Sequence, residues 1–138
     1  MTIFTLMISP RPVAKSGKQM PTRTPKAPTK AYTPKSGNIV WLDFEPRSGH
    51  EQGGMRPALV LSPEDYNSKS GLCLAMPITS KIKGYPFEIA LKSKKIDGVI
   101  LSDHIKSLDF RARNARFCDK VNSDTLQSAL HKLSLLVF

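Results

Sequence analysis

Acidic residues are missing from the first quarter of this chain. Met1 to Ser36 holds seven Lys or Arg (Arg11, Lys15, Lys18, Arg23, Lys26, Lys30 and Lys35) and no Asp or Glu, so it carries +7 of the formal +10. The same stretch contains six of the 11 prolines. Each proline fixes φ and removes a backbone donor, and the stretch has little apolar surface to offset chain entropy. This excludes it from a packed core: residues 1–36 read as a disordered, Pro-rich basic tail, either a solvated extension or a phosphate-binding arm. Cysteine is also scarce. Cys73 and Cys118 are too few for a disulfide framework or a cysteine metal site, and both lie among apolar neighbours, as small core residues in a reducing compartment do. His50, His104 and His131 have no paired metal-ligand spacing. There is no long apolar run. Met1 to Ile8 falls far short of the roughly 20 residues of a membrane span. No basic residue precedes it, and no small-residue cleavage site follows a long apolar stretch, so it does not fit a secretory signal. An acid-free, Ser-containing start also resembles an organelle transit peptide, which nothing else in the chain supports. The expected location is the cytoplasm.

What remains is enough for one domain: 138 residues, 40% hydrophobic. Gly37 to Phe138 has 14 basic and 11 acidic residues, so the expected domain is only mildly basic, and most of the nucleic-acid signal in the charge comes from the tail. Asn38 to Phe44 is rich in β-branched and aromatic residues and predicts a strand ended by Pro46. Gly49, Gly53 and Gly54 mark Arg47 to Arg56 as a loop. Ala58 to Leu61 predicts a short buried strand. Ser62 then caps a short helix that has Pro63 in its first turn and is closed by Gly71. Leu72 to Ile78 predicts another strand, followed by a polar, basic loop over Thr79 to Gly84. Phe87 to Leu91 pairs with Val99 to Leu101 across a turn near Asp97-Gly98. Ile105 to Phe110 and Phe117 to Val121 are further strands. Ser123 caps a final helix whose apolar positions Leu126, Ala129, Leu130, Leu133, Leu136 and Val137 recur every three or four residues, a core-facing stripe with an exposed partner-binding face as the alternative. Short strands, glycine-bearing turns and one C-terminal helix indicate a small antiparallel barrel, mainly β with helices.

Four polar residues fall in loops or at strand ends: Glu51, Arg56, Thr79 and Asp103. A guanidinium grips phosphate oxygens in a fork and a carboxylate takes a proton, so Glu51 and Arg56 together suit a phosphodiester. By themselves they read first as a surface ion pair in a flexible loop, because Glu-x-x-x-x-Arg is a very weak signal. Arg56 before Pro57 also fits a strand entry, Thr79 a strand-end filler and Asp103 a turn cap. Lys106, Arg111, Arg113 and Arg116 flank Phe110 and Phe117. If that stretch is extended, Arg111 and Arg113 share a face. Cations beside rings suit single-stranded RNA, which needs charge for its backbone and a surface for base stacking. Core phenylalanines with solvated charges are the other reading, and both stand.

Read in order, Gly37-Asn38-Ile39-Val40-Trp41-Leu42-Asp43-Phe44-Glu45-Pro46, Gly49-His50-Glu51-Gln52 and Arg56-Pro57-Ala58-Leu59-Val60-Leu61-Ser62 resemble the opening of the MazF/PemK family of toxin endoribonucleases. Further matches are Tyr66-Asn67, Pro77-Ile78-Thr79-Ser80, Lys83-Gly84-Tyr85-Pro86-Phe87-Glu88, Asp97-Gly98-Val99, Ser102-Asp103-His104-Ile105-Lys106-Ser107 and Arg111-Ala112-Arg113. The resemblance covers 37–138 and implies an SH3-like antiparallel barrel with a C-terminal helix. It implies the toxin of a type II toxin–antitoxin system: a homodimer that cuts single-stranded mRNA or rRNA at short motifs without metal or other cofactor. Its implied partners are an antitoxin laid across the dimer groove and, with the antitoxin bound, operator DNA; a membrane is not among them. By resemblance Glu51, Arg56 and Thr79 are the catalytic set, with His50 as a proton donor. Asp103 is the base of one branch, but that branch has an Arg two residues earlier where this chain has Leu101, which favours Glu51. RNA contacts are expected from Gln52, Ser80, Phe87, Lys106, Arg111 and Arg113. The alternative is a non-catalytic binder, since the same barrel serves a gyrase poison. A binder has no use for a carboxylate in a phosphate groove.

Overall fold

A computed structural model describes residues 31–44 and 54–138. Glu51, His50 and Gln52 lie outside the described residues, as does the expected tail up to residue 30. The compact unit runs from Thr33 to Phe138.

Among the described residues, seven strands form one antiparallel sheet bent into a half-barrel. They are β1 (Asn38–Asp43), β2 (Met55–Val60), β3 (Leu72–Thr79), β4 (Glu88–Lys92), β5 (Asp97–Leu101), β6 (Lys106–Asp109) and β7 (Arg116–Lys120). Helix α1 (Glu64–Ser70) links β2 to β3, a 3-10 turn (Ser102–His104) links β5 to β6, and α2 (Ser123–Val137) ends the chain. The strand order is β4-β5-β3-β2-β1-β7, with β6 joined to β3. Strand β3 therefore changes partner along one edge: Leu72 to Ala75 pair with β6, while Ile78 and Thr79 pair with β5.

The near-continuous apolar runs follow from burial on both faces. On one face Ile39, Leu59 and Met76 stand in register and join Ile78, Ile100 and Ala129 in the main core, with Leu126 and Leu133 packed against it. Alternate positions of the same strands put Val40, Ala58, Val60 and Cys73 on the opposite face, where they are also fully buried. Phe110 is the largest fully buried side chain among the described residues. Both cysteines are buried free thiols. Burial pushes the Cys73 thiol up to about 12, with Asp109 adding to the effect.

Several expected boundaries move. Strand β2 begins at Met55, so Arg56 lies on a strand opposite Leu42 and not in the loop. The β4–β5 turn falls before Asp97, which already pairs with Lys92, and Ser93 Oγ organises it by accepting from the Lys95 and Ile96 N–H groups. Ser62 does not cap α1. Its buried hydroxyl donates to Asn67 Oδ1 at 2.6 Å and accepts from Leu74 N–H, while Asn67 Nδ2 donates to Pro34 O. Pro34 is fully buried, so chain packed on the sheet reaches back beyond Gly37. Helix α2 is capped by Asn122, whose side chain accepts from Thr125 N–H, one residue before the expected Ser123. Its apolar stripe divides. Leu126, Ala129 and Leu133 face the core, whereas Leu130, Leu136 and Val137 are exposed, together with Leu135 and Phe138. No helix among the described residues is long and apolar enough to cross a membrane.

Candidate functional site

The site starts where β2 and β3 run together at one end of the sheet. Their register pairs Ala58 with Pro77 and Leu59 with Met76. Continued by two residues, it sets Arg56 opposite Thr79. Arg56 is exposed on β2, at the same end of the sheet as Thr79. Thr79 Oγ1 accepts from Lys81 N–H at 3.1 Å, which leaves the hydroxyl proton to be donated outward. Ser80 follows as an exposed neighbour.

Gly98 makes this strand end possible. It lies at φ +149, and a Cβ there would stand 2.3 Å from the Thr79 carbonyl oxygen. Only glycine lets β5 approach the backbone of Thr79 this closely.

Arg113 reaches the same end by another route. Its Nη1 donates to Asp43 O at 3.0 Å, and Asp43 N–H donates to Arg113 O. Asp43 pairs with Met55, the residue before Arg56. Arg113 thus clamps the end of β1, the strand that pairs with β2. The stretch from Phe110 to Asn114 is a turn held by Arg113 N–H to Asp109 O and Asn114 N–H to Arg111 O. The expected extended face with Arg111 beside Arg113 does not exist. Asp109 Oδ1 accepts from both Arg111 and Ala112 N–H groups, and that carboxylate drives the turn. Phe110 is core, and the Arg111 guanidinium lies 5.1 Å from its ring centroid. Lys106 is exposed on β6 opposite Ala75, away from Thr79.

Asp103 belongs to a different neighbourhood. Thr79 pairs with Val99, and Asp103 lies four residues further on, in the 3-10 turn. Along extended chain that is on the order of 10 Å. Its carboxylate accepts the Tyr85 hydroxyl at 2.8 Å (Oδ1) and 3.1 Å (Oδ2). His104 Nε2 stands 3.8 Å from Oδ1. The Asp103 bond holds the Tyr85 phenol above its ordinary value. The segment Lys81–Phe87 between β3 and β4 is tied down elsewhere too. Phe87 O accepts from Ser102 N–H (3.0 Å) and Ser102 Oγ (2.6 Å). The Glu88 carboxylate accepts from Lys83 and Gly84 N–H groups, and Lys132 Nζ of α2 donates to Pro86 O.

A cavity of about 330 Å³ opens elsewhere, between the β4–β5 turn and the start of α2. It is lined by Lys92, Lys94, Lys120, Asp119 and Asn122 among others, and by none of the expected site residues. Ser93 Oγ donates to Asp119 there and holds its carboxyl below the usual range. Sequence reasoning missed Gly98, Ser102, Lys132 and the Tyr85–Asp103 bond as parts of the site. Only Gly98 left a signal, the Asp-Gly pair, and it was assigned to the turn.

Residues 35–137 match the family described as PemK-like, MazF-like toxin of type II toxin-antitoxin system. The endoribonuclease toxin MazF of Escherichia coli K12 is 46% identical over 106 residues, covering 77% of this chain and 96% of that protein. The endoribonuclease toxin ChpB of the same strain is 34% identical, over 73% of this chain and 91% of its own. Among solved structures, MazF in a MazE–MazF complex from Deinococcus radiodurans superposes with a TM-score of 0.74 at 49% identity, over 78% of this chain and 97% of that one. MazF alone from the same organism gives 0.70 at 50% identity and is covered in full. With the family match over residues 35–137, the 46% identity to MazF and the shared fold, the chain belongs to the PemK-like, MazF-like toxins of type II toxin–antitoxin systems.

Proposed function

We propose that this chain is a toxin endoribonuclease that cuts single-stranded RNA by attack of a 2′-hydroxyl on the adjacent phosphorus. What supports this reading is that an exposed Arg56 on β2 and Thr79 at the end of β3 lie at the same end of adjacent strands. A fork of cationic donors and a hydroxyl donor at one end of the sheet suit the oxygens of one phosphodiester. The 2′-oxygen bonds to phosphorus as Glu51 takes its proton, and the P–O5′ bond breaks. The departing 5′-oxygen takes a proton from His50. Arg56 stabilises the charge building on the phosphoryl oxygens, and Thr79 donates to one of them. The products are a 2′,3′-cyclic phosphate and a 5′-hydroxyl. Arg113 adds positive potential at the same end, Ser80, Gln52 and Phe87 contact the neighbouring nucleotides, and Lys106 and Arg111 hold backbone farther along.

The protein works in the cytoplasm as a homodimer and is neutralised by an antitoxin. The apolar end of α2, with Val137 61% and Phe138 98% exposed, supports a partner surface in addition to the core. The proton chemistry runs between side chains and RNA, so cleavage is expected to persist in EDTA.

The test uses purified full-length protein and an RNA oligonucleotide containing a cleavage site mapped by sequencing 5′ ends. A single 2′-deoxy substitution at the scissile nucleotide should stop cleavage, because the nucleophile is gone. Continued cutting of that substrate sinks the mechanism, and strict Mg²⁺ dependence sinks the metal-free scheme.

A further inference from the structure

We propose that Asp103 is a positioning residue that, through Tyr85, latches the Lys81–Phe87 segment in the shape that selects which RNA sequence is cut. The inference rests on the nuclease reading above and assigns a role within it.

Three observations converge on it. First, both carboxylate oxygens of Asp103 face the Tyr85 hydroxyl, at 2.8 and 3.1 Å. The carboxylate is thereby engaged as the acceptor of the phenol hydroxyl through both oxygens. Second, Asp103 lies in the 3-10 turn after β5, four residues beyond Val99, the partner of Thr79. Third, the bond is one of several that fix the same segment to the same turn. Ser102, beside Asp103, is fully buried and holds Phe87 O with two donors. Glu88 gathers the Lys83 and Gly84 N–H groups, and Lys132 holds Pro86 O from α2. The 3-10 turn is thus an anchor for a loop. The titratable groups facing the Tyr85–Asp103 pair among the described residues are His104, 3.8 Å from Asp103, and Glu88, which also acts on the phenol.

The segment has the composition of a base-reading surface. It begins two residues after Thr79 and carries Lys81, an exposed Ile82, Lys83, Tyr85 and Phe87. Unstacked RNA bases are read by flat or apolar side chains and by polar edges at fixed positions. A loop that fluctuates cannot hold such positions. Fixing it through one side-chain bond at its middle and backbone bonds at its end gives a shape that discriminates among bases.

The experiment compares the wild-type chain with D103N, D103A, Y85F and the Y85F/D103A double variant. Each is given a random-sequence RNA pool, with sequencing of the cut ends, then one preferred substrate for kcat and KM across pH. The amide oxygen introduced by D103N still accepts the phenol hydroxyl but cannot take a proton. D103N should therefore keep kcat and the shape of the pH profile to within about threefold, because no general base, worth roughly 10²–10⁴, has been removed. D103A and Y85F should broaden the cut motif in the same way and raise KM for the preferred substrate several-fold, with kcat little changed. The double variant should look like either single one. Titrating the phenols by absorbance reports the latch without any RNA: Tyr85 should titrate lower in D103A than in wild type. A loss of roughly 10²–10⁴ in kcat for D103N with Y85F unaffected overturns the proposal in favour of a base. An unchanged motif in both D103A and Y85F also overturns it, while leaving the nuclease intact. No RNA cleavage by the wild-type chain overturns the nuclease reading, and this role with it; the titration then shows whether the bond forms.

Discussion

The two halves of β3 behave as different materials. From Leu72 to Ala75 the strand is paired to β6, Cys73 and Ala75 are buried, and Leu74 N–H is bonded by Ser62, itself bound to Asn67. These polar groups are matched inside the fold. At Ile78 and Thr79 the strand has crossed to β5, and its last residue is half-buried at the end of the sheet where β2 carries an exposed Arg56. The first half supplies rigidity and the second supplies presentation. The comparison teaches how a half-barrel makes a site without a deep cavity: one strand is clamped at one end, so its other end is held in place while remaining open to solvent.

That contrast can be broken in graded ways. The largest effect is expected from Arg56→Ala. It should lower turnover by about 10²–10³, the usual loss when one preorganised donor to a developing oxyanion is removed. The far-ultraviolet circular dichroism should not change, because the residue is exposed and its strand ladder is backbone. Wild-type turnover in that variant would remove the Arg56–Thr79 pair from the chemistry. Next comes Gly98→Ala. The new Cβ meets the Thr79 carbonyl and must push the strand end aside, at roughly 1–3 kcal/mol of overpacking. A misplacement near 1 Å costs on the order of 100-fold in rate. Denaturant unfolding and turnover should therefore both fall, and a variant that loses stability but keeps rate would show that the fine position of Thr79 is unimportant.

The smallest effect belongs to the clamped half. Cys73 titrates at about 12 when folded against an ordinary value of 9.0, so the folded state keeps its proton where the unfolded state releases it. The unfolded chain then binds fewer protons, and stability declines as pH rises above 9.0, through the window up to about 12. At mildly alkaline pH, native Cys73 should resist iodoacetamide and react only after denaturation. Rapid labelling of the native protein would mean that the first half of β3 opens as readily as the second.

Much of the fold was legible because its signals are local. The run around Val40 and Trp41, the close at Gly71 and the spaced apolar residues of α2 locate strand, turn and helix from sequence alone. Caps were misplaced because Ser62 and Ser123 are good caps in isolation, while Asn67 claims the first and Asn122 precedes the second. The Arg111–Arg113 face failed because Asp109 gathers two N–H groups and bends the chain, a choice that alternation of side chains does not reveal. The α2 stripe was half right, since periodicity marks an apolar face but not how far along its length the sheet can cover it.

The site divides the same way. Arg56 and Thr79 were singled out by the family resemblance, since by themselves they read equally as a strand entry and a strand-end filler. That they lie at one end of the sheet depends on the register of β2 on β3. The sequence by itself determined the strands, the apolar faces and the inventory of donors. Only the tertiary structure decided that Arg113 clamps β1, that Gly98 lies against Thr79 and that Asp103 faces Tyr85. These are contacts between residues far apart in the chain, and their energies exist only once the sheet has closed the distance.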